Sequence, residues 1–244
     1  MPIIYSNTAD GYIGKAGQSS WANARDASTG STINTTNTSY TGATYVIRGS
    51  GRGGGAFYSV YRSFLFFDTS GITANVASAT LSIYGTSATP DGSIIVVKST
   101  AFGGDGGTAL AAGDIGAIAG WSAGSSLAGS ATVYGAQKLT SAWNQNAYND
   151  FTATSDLLAD MKNNNVVIIC LMDYTNDYLN SALTSNALLN IGAWYSNSSG
   201  TSKDPKIDYT LATGYANNVN GVAAANISKV MGVATASISK VNGI

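Results

Sequence analysis

Histidine and glutamate are both missing from the 244 residues, so every one of the 13 acidic side chains is an aspartate. Their absence removes the commonest general base, the commonest metal ligand and any proton transfer that needs a glutamate. An enzymatic reading is therefore confined to aspartate pairs, and the sequence argues for no enzyme, no metal and no cofactor. Charge of either sign is scarce: charged residues make up 10% of the chain and the net charge is −1, against about a quarter charged in an ordinary globular protein. So weak a field excludes electrostatic capture of nucleic acid or of an anionic membrane. The single cysteine, Cys170, has no partner for an internal disulfide and sits in the apolar run Val166–Met172, where a small buried hydrophobe fits. The first residues, Met1–Asn7, carry neither the basic region nor the apolar run of a secretory signal, and no later stretch is long enough to span a bilayer. The expectation is no Sec-type export and no membrane insertion.

What the chain has in quantity is Gly, Ser, Thr, Asn and Ala, punctuated by apolar runs of strand length. The densest in the front half is Arg62-Ser63-Phe64-Leu65-Phe66-Phe67-Asp68, which at strand rise spans about 23 Å, one crossing of a small domain. Extended back to Phe57, it divides by alternation into a face with Tyr61, Leu65 and Phe67 and a face with Val60, Arg62, Phe64 and Phe66. Both faces carry aromatics, so both need cover, from a second sheet plus a long loop or from another subunit. The glycine run Gly49–Gly55 lacks the Lys-Ser/Thr of a phosphate-binding loop and precedes a strand, so it is a hairpin connection.

Further strands are expected over Ala43–Arg48, Ala79–Tyr84, Ser93–Ser99, Val133–Thr140, Tyr148–Thr152, Val166–Met172, Ala187–Tyr195 and Pro205–Leu211. Between them, Ala101–Ala131 is small and glycine-rich, a long excursion with Trp121 as its only large anchor. One helix is expected, Ser155–Lys162, capped by Ser155 and presenting Leu157, Leu158 and Met161 on one stripe. Asp156 and Asp160, one turn apart, are expected to face solvent, and Asp173, Asn176 and Asp177 to form a turn rather than a calcium loop. The fold class is all-β, a jelly-roll β-sandwich with one short helix and a C-terminal repeat extension.

Ala9-Asp10, the run Arg62–Asp68, Ala79–Tyr84 and the closing Asp204–Tyr209 come in an order that resembles the DNRLRE-like jelly-roll family, over about residues 8–211. That family is similar in fold to carbohydrate-binding modules and occurs in secreted bacterial surface proteins and in phage structural proteins. The resemblance implies a β-sandwich, with Arg62 and Asp68 as structural polar groups at the two ends of the central strand. It does not assign a sugar platform among Trp21, Tyr58, Tyr61, Trp143 and Trp194.

Beyond Gly214 the composition changes. Gly221–Met231 is followed in register by Gly232–Asn242, and Gly243-Ile244 opens a third copy, giving an 11-residue tandem repeat. The repeat resembles those at the ends of tailed-phage structural proteins. Glycine at each start with β-branched Val and Ile points to short strands or turns. Two such units cannot bury their own apolar side chains. Val222, Ile227, Val230, Val233, Ile238 and Val241 are therefore the candidate assembly contacts, in a tail of residues 214–244 attached to a sandwich of residues 1–213. The functional expectation is a virion structural protein of a tailed bacteriophage: a head decoration, head fibre or tail-associated protein. It would be located in the virion, homo-oligomeric, and bound to other virion proteins or sister subunits. The alternative is a carbohydrate-binding surface adhesin that takes a cell-surface glycan through exposed aromatics.

Overall fold

A computed structural model describes residues 1–36, 39–51, 53–196 and 200–212, and the backbone of residues 229–230 and 233–234. Every strand pairing it contains is antiparallel, and the chain is an all-β sandwich. One layer runs, in spatial order, β3 (Thr32–Asn34), β2 (Gly11–Gln18), β5 (Ala56–Asp68), β10 (Val166–Asp173), β7 (Ser93–Lys98) and β8 (Val133–Leu139). The facing layer runs β1 (Ile3–Tyr5), β12 (Lys206–Leu211) and β6 (Val76–Ala88), with β9 (Tyr148–Thr152) on the far edge of β6. β4 (Ser39–Ser50) forms a hairpin with β5, and β11 (Ala187–Trp194) pairs with both β4 and β6, so one hydrogen-bonded ladder folds from layer to layer.

The central run occupies the second half of β5, as its apolar density requires. β10 pairs along Ser63–Asp68 and β4 along Ala56–Tyr61 on one edge, while β2 holds the other. The β4–β5 turn is the glycine run: the Gly51 N–H donates to the Gly55 carbonyl at 2.7 Å, and Gly54 takes φ +81°, a conformation open to glycine. Tyr61, Leu65 and Phe67 face the second layer, against Leu81, Ile83, Phe151 and Ile207. Phe64 and Phe66 face outward with Ile95, Ile168 and Cys170, beneath Phe102, Leu110, Ile115, Ile118 and Leu127 of the excursion. Of the two kinds of cover that the two-faced strand allows, the protein uses a second sheet and a long loop.

Four local features differ from the sequence reading. The stretch before Ala43, where the sequence predicts no strand, forms β1, β2 and β3, which their short or glycine-interrupted sequences do not signal and which pairing with β12 and β5 holds in place. The helix α2 spans Ser155–Asn163 and is capped by Thr154, whose hydroxyl accepts from the Leu157 N–H, rather than by Ser155; either hydroxyl suits the cap, and the extended backbone at Thr154 decides it. A second short helix, α1 (Trp21–Arg25), opens at Ser20, whose side chain accepts from the Asn23 N–H. Five residues are too few for an apolar period, so only the cap could have signalled it. The excursion has a second large anchor besides Trp121, the fully buried Phe102, which meets the Phe66 ring at 5.2 Å. Phe102 holds φ +56°, which costs a non-glycine residue about 1–3 kcal/mol and is retained because its ring fills the outer core.

Candidate functional site

The outer face of β5 carries Arg62, and the excursion, α1 and the turn after β10 close over it. Arg62 is fully buried; its Nε donates to Asp177 Oδ2 at 2.7 Å and its Nη2 to Asp177 Oδ1 at 2.6 Å, while Nη1 donates to the Ile115 carbonyl and Nη2 also to the Arg25 carbonyl. Arg25, also buried, donates to the Asp177 and Ser125 carbonyls and pairs with Asp26 at 2.6 Å. Both guanidiniums lie over the Trp121 ring, at 4.6 and 4.3 Å from its centroid. Burial would depress both. For Arg62 the Asp177 carboxylate more than reverses this and holds the group above its ordinary value; for Arg25 burial prevails and the value is lowered. The cluster ties α1, β5, the excursion and the turn Tyr174–Tyr178 into one unit. It is a structural lock, the role the family resemblance implied for Arg62. At the other end of the strand Asp68 is exposed and accepts from the Ser70 N–H and hydroxyl.

Two other buried aspartates, Asp10 and Asp173, are committed in the same manner. Asp10 accepts from the Phe66 N–H at 3.2 Å and the Ser196 hydroxyl at 3.1 Å, and burial pushes it up to about 8. Asp173 caps the turn Tyr174–Tyr178 by accepting from the Asn176 and Asp177 N–H groups, and burial pushes it up to about 7. Because Asp177 turns to the arginines, Asp173, Asn176 and Asp177 form a capped turn and not a converging oxygen set. Asp156 is exposed as expected, but Asp160 is not a free surface acid. It accepts from Lys98 at 2.8 Å, from Asn164 at 2.8 Å and from the Tyr134 hydroxyl. The helix stripe was legible, whereas β7 and β8 reaching across to it were not.

The most chemically distinctive open surface is the solvent face of the second layer. Tyr84 on β6, Tyr148 on β9 and Trp194 on β11 alternate with the inward Ile83, Phe151 and Ala193 and are half-buried. Tyr84 and Tyr148 meet edge to face at 5.2 Å. Lys203 Nζ lies 4.2 Å from the Trp194 ring centroid and 5.5 Å from that of Tyr84, while Lys206 Nζ lies 5.0 Å from that of Tyr148 and 2.9 Å from Asp208 Oδ2. The Tyr148 phenol is pushed up to about 12, by burial first and then by Tyr5, Asp204 and Asp208. Each ammonium over a ring contributes about 0.5–1 kcal/mol, so these faces are covered by the protein's own lysines. Of the other aromatics, Tyr61 and Trp143 are buried, Trp21 donates to Asn180, and Tyr58 has Arg48 above it. Among Trp21, Tyr58, Tyr61, Trp143 and Trp194, none forms a bare stacking platform.

Of the candidate assembly contacts, Val230 and Val233 are paired with one another in an antiparallel two-strand ladder, Lys229–Val230 with Val233–Ala234. This agrees with short strands across the repeat junction. Val222, Ile227, Ile238 and Val241 lie outside the described residues. No helix among the described residues is long and apolar enough to cross a membrane. No family model matches the chain, and a search of curated proteins finds no relative.

Proposed function

We propose that the protein is a virion structural protein of a tailed phage, in which the sandwich is the displayed body and residues 214–244 dock on other virion proteins or on sister subunits. The observation that carries this reading is the change in the sequence beyond Gly214, from sandwich strands to a tandem repeat. Among the described residues the fully buried side chains of both hydrophobic cores lie between Tyr12 and Ile207, and the apolar side chains beyond Gly214 belong to a tandem repeat too short to bury them by itself. Six aliphatic side chains at roughly 1.5–3 kcal/mol each when fully buried are enough to hold an interface after ordering costs. The ionisable groups support a non-catalytic role: Arg25, Arg62, Asp10, Asp173 and Asp177 are all used to close the fold.

Deleting residues 214–244 tests the proposal. The truncated chain is expected to unfold at nearly the same temperature as the full chain and to be absent from purified particles or from the oligomer peak in light scattering. Normal incorporation would overturn the docking role, and a truncated chain that fails to fold would show the tail to be part of the sandwich core. The adhesin alternative places the same sandwich on a cell surface and is favoured by one feature, an open polar cleft away from the lysine-covered rings. Recovery of the protein in a cell-surface fraction with glycan retention, and not in particles, would decide for it.

A further inference from the structure

The excursion covers the outer face of β10 incompletely. Near the start of that strand an open cleft of about 610 Å³ remains, within the size range of small-ligand pockets. The excursion supplies Thr100, Gly104 and Asp105, the end of α2 supplies Asn163–Asn165, and Val166 and Ile168 of β10 give an apolar floor. Lys98 and Tyr134 also line it, but both are spent on Asp160, as is the Asn164 amide. Burial works against the Asp160 charge, yet these three donors outweigh it and hold the carboxyl below its ordinary value. The network fixes one wall as an ionised, saturated unit.

The groups left for a ligand are different in kind. Among the described residues, the side chains of Asn163, Asn165 and Thr100 make no hydrogen bond, and Asp105 uses only Oδ1, which accepts from the Gly107 N–H at 2.8 Å. The cleft therefore offers two carboxamides, a hydroxyl and one carboxylate oxygen above aliphatic side chains. An anionic ligand would meet Asp105 and Asp160 with the single lysine already paired, which disfavours phosphates and acidic sugars. A neutral polyol fits on both counts. Vicinal hydroxyls can donate to a carboxylate while accepting from and donating to carboxamides, and a sugar's C–H face can lie on Val166 and Ile168.

We propose that this cleft is a saccharide subsite for a neutral sugar of one or two rings, held by Asp105, Asn163 and Asn165. This deepens the glycan-binding alternative and rests on it for the ligand class, and it is independent of where the tail docks. The test is titration of the full chain, labelled with ¹⁵N, with cellobiose, maltose, lactose and chitobiose, and with sialyllactose as the charged control. At least one neutral disaccharide is expected to shift the Gly104 backbone signal and the Asn163 and Asn165 side-chain amide signals saturably. Asp105→Ala is expected to weaken it about tenfold, the loss of one charge-assisted hydrogen bond, and Trp194→Ala to leave it unchanged. Asn165 is exposed and its side chain makes no hydrogen bond among the described residues, so Asn165→Ala tests binding and not folding, and Asp105→Asn, which keeps an acceptor for the Gly107 N–H, separates the loss of the carboxylate from the loss of the turn. Binding that survives Asp105→Ala and Asn165→Ala but is lost in Trp194→Ala would place the sugar on the sheet face, overturning the cleft assignment while keeping the glycan reading. Cleft shifts with sialyllactose alone would overturn the ligand class, and no shift with any probe would overturn both the assignment and the glycan reading.

Discussion

The two faces of β5 are equally dry and are built on opposite principles. The inner face, with Leu65 and Phe67, is closed mainly by apolar side chains and holds no buried charge among the described residues, its Ser63 hydroxyl meeting the Tyr195 hydroxyl at 2.8 Å, whereas the outer face places Phe64 and Phe66 beside a buried Arg62 that must find partners. Apolar contacts are non-directional, so many arrangements of the second layer would satisfy Phe67. A guanidinium with no water admits very few, and Asp177, Ile115 and Arg25 must arrive together to meet its demands. A regular sheet covers the inner face. The outer face is covered by an irregular loop, and there the ionic cluster supplies the directionality that a ladder would otherwise give.

Substitutions that treat the two faces differently would break or sharpen this contrast. The largest effect is expected from Asp177→Ala, which leaves two buried guanidiniums without their shared carboxylate; the upper part of about 3–5 kcal/mol should be lost in equilibrium denaturation. A loss under about 1 kcal/mol would show that water enters the cluster and that the outer face is not dry. Phe67→Ala on the inner face should cost about 3–4 kcal/mol through a cavity alone, with no change in the pH dependence of unfolding.

Next comes a pH effect that arises where the outer face meets the N-terminal segment. Asp10 is held near 8 when folded and is ordinary when unfolded, so between about pH 4 and 8 the folded state binds the extra proton. Stability from this group is full below the unfolded value and falls as pH rises through that window, by about 2 kcal/mol from pH 6 to pH 8. Asp10→Asn keeps an acceptor for the Phe66 N–H and can donate to Ser196. Its melting temperature should therefore vary less between pH 6 and 8, and an unaltered slope in thermal melts would remove Asp10 as the source. The smallest effect is expected at the half-exposed pair Lys98–Asp160: Lys98→Ala should cost under about 1 kcal/mol, measured by the same denaturation, because solvent screens the pair.

How much was legible in the sequence follows the same division. The alternation of Phe57–Asp68, the inward set of Ala79–Tyr84 and the glycine turn gave the strands and their faces, because side-chain period and turn chemistry are local. The need for cover on both sides of β5 could also be read from aromatics at both parities, but not whether a loop or another subunit provides it. Even the solvent-facing positions of Tyr148 and Lys206 follow from alternation, though not their meeting, since β9 and β12 come together only through their shared neighbour β6.

Composition and repeats by themselves determined the protein's class: a charge-poor, histidine-free, glutamate-free β-sandwich with an 11-residue tandem repeat beyond Gly214. Only the tertiary structure decided which aspartate pairs with Arg62, that Trp121 lies beneath two guanidiniums, and that the rings of the sheet face are covered by Lys203 and Lys206. It alone opened the cleft between Asp105 and Asn165. Strand period is fixed by the covalent geometry of neighbouring residues, but a buried charge chooses its partner by distance and direction in space, and residues 62 and 177 become neighbours only when β10 has paired with β5.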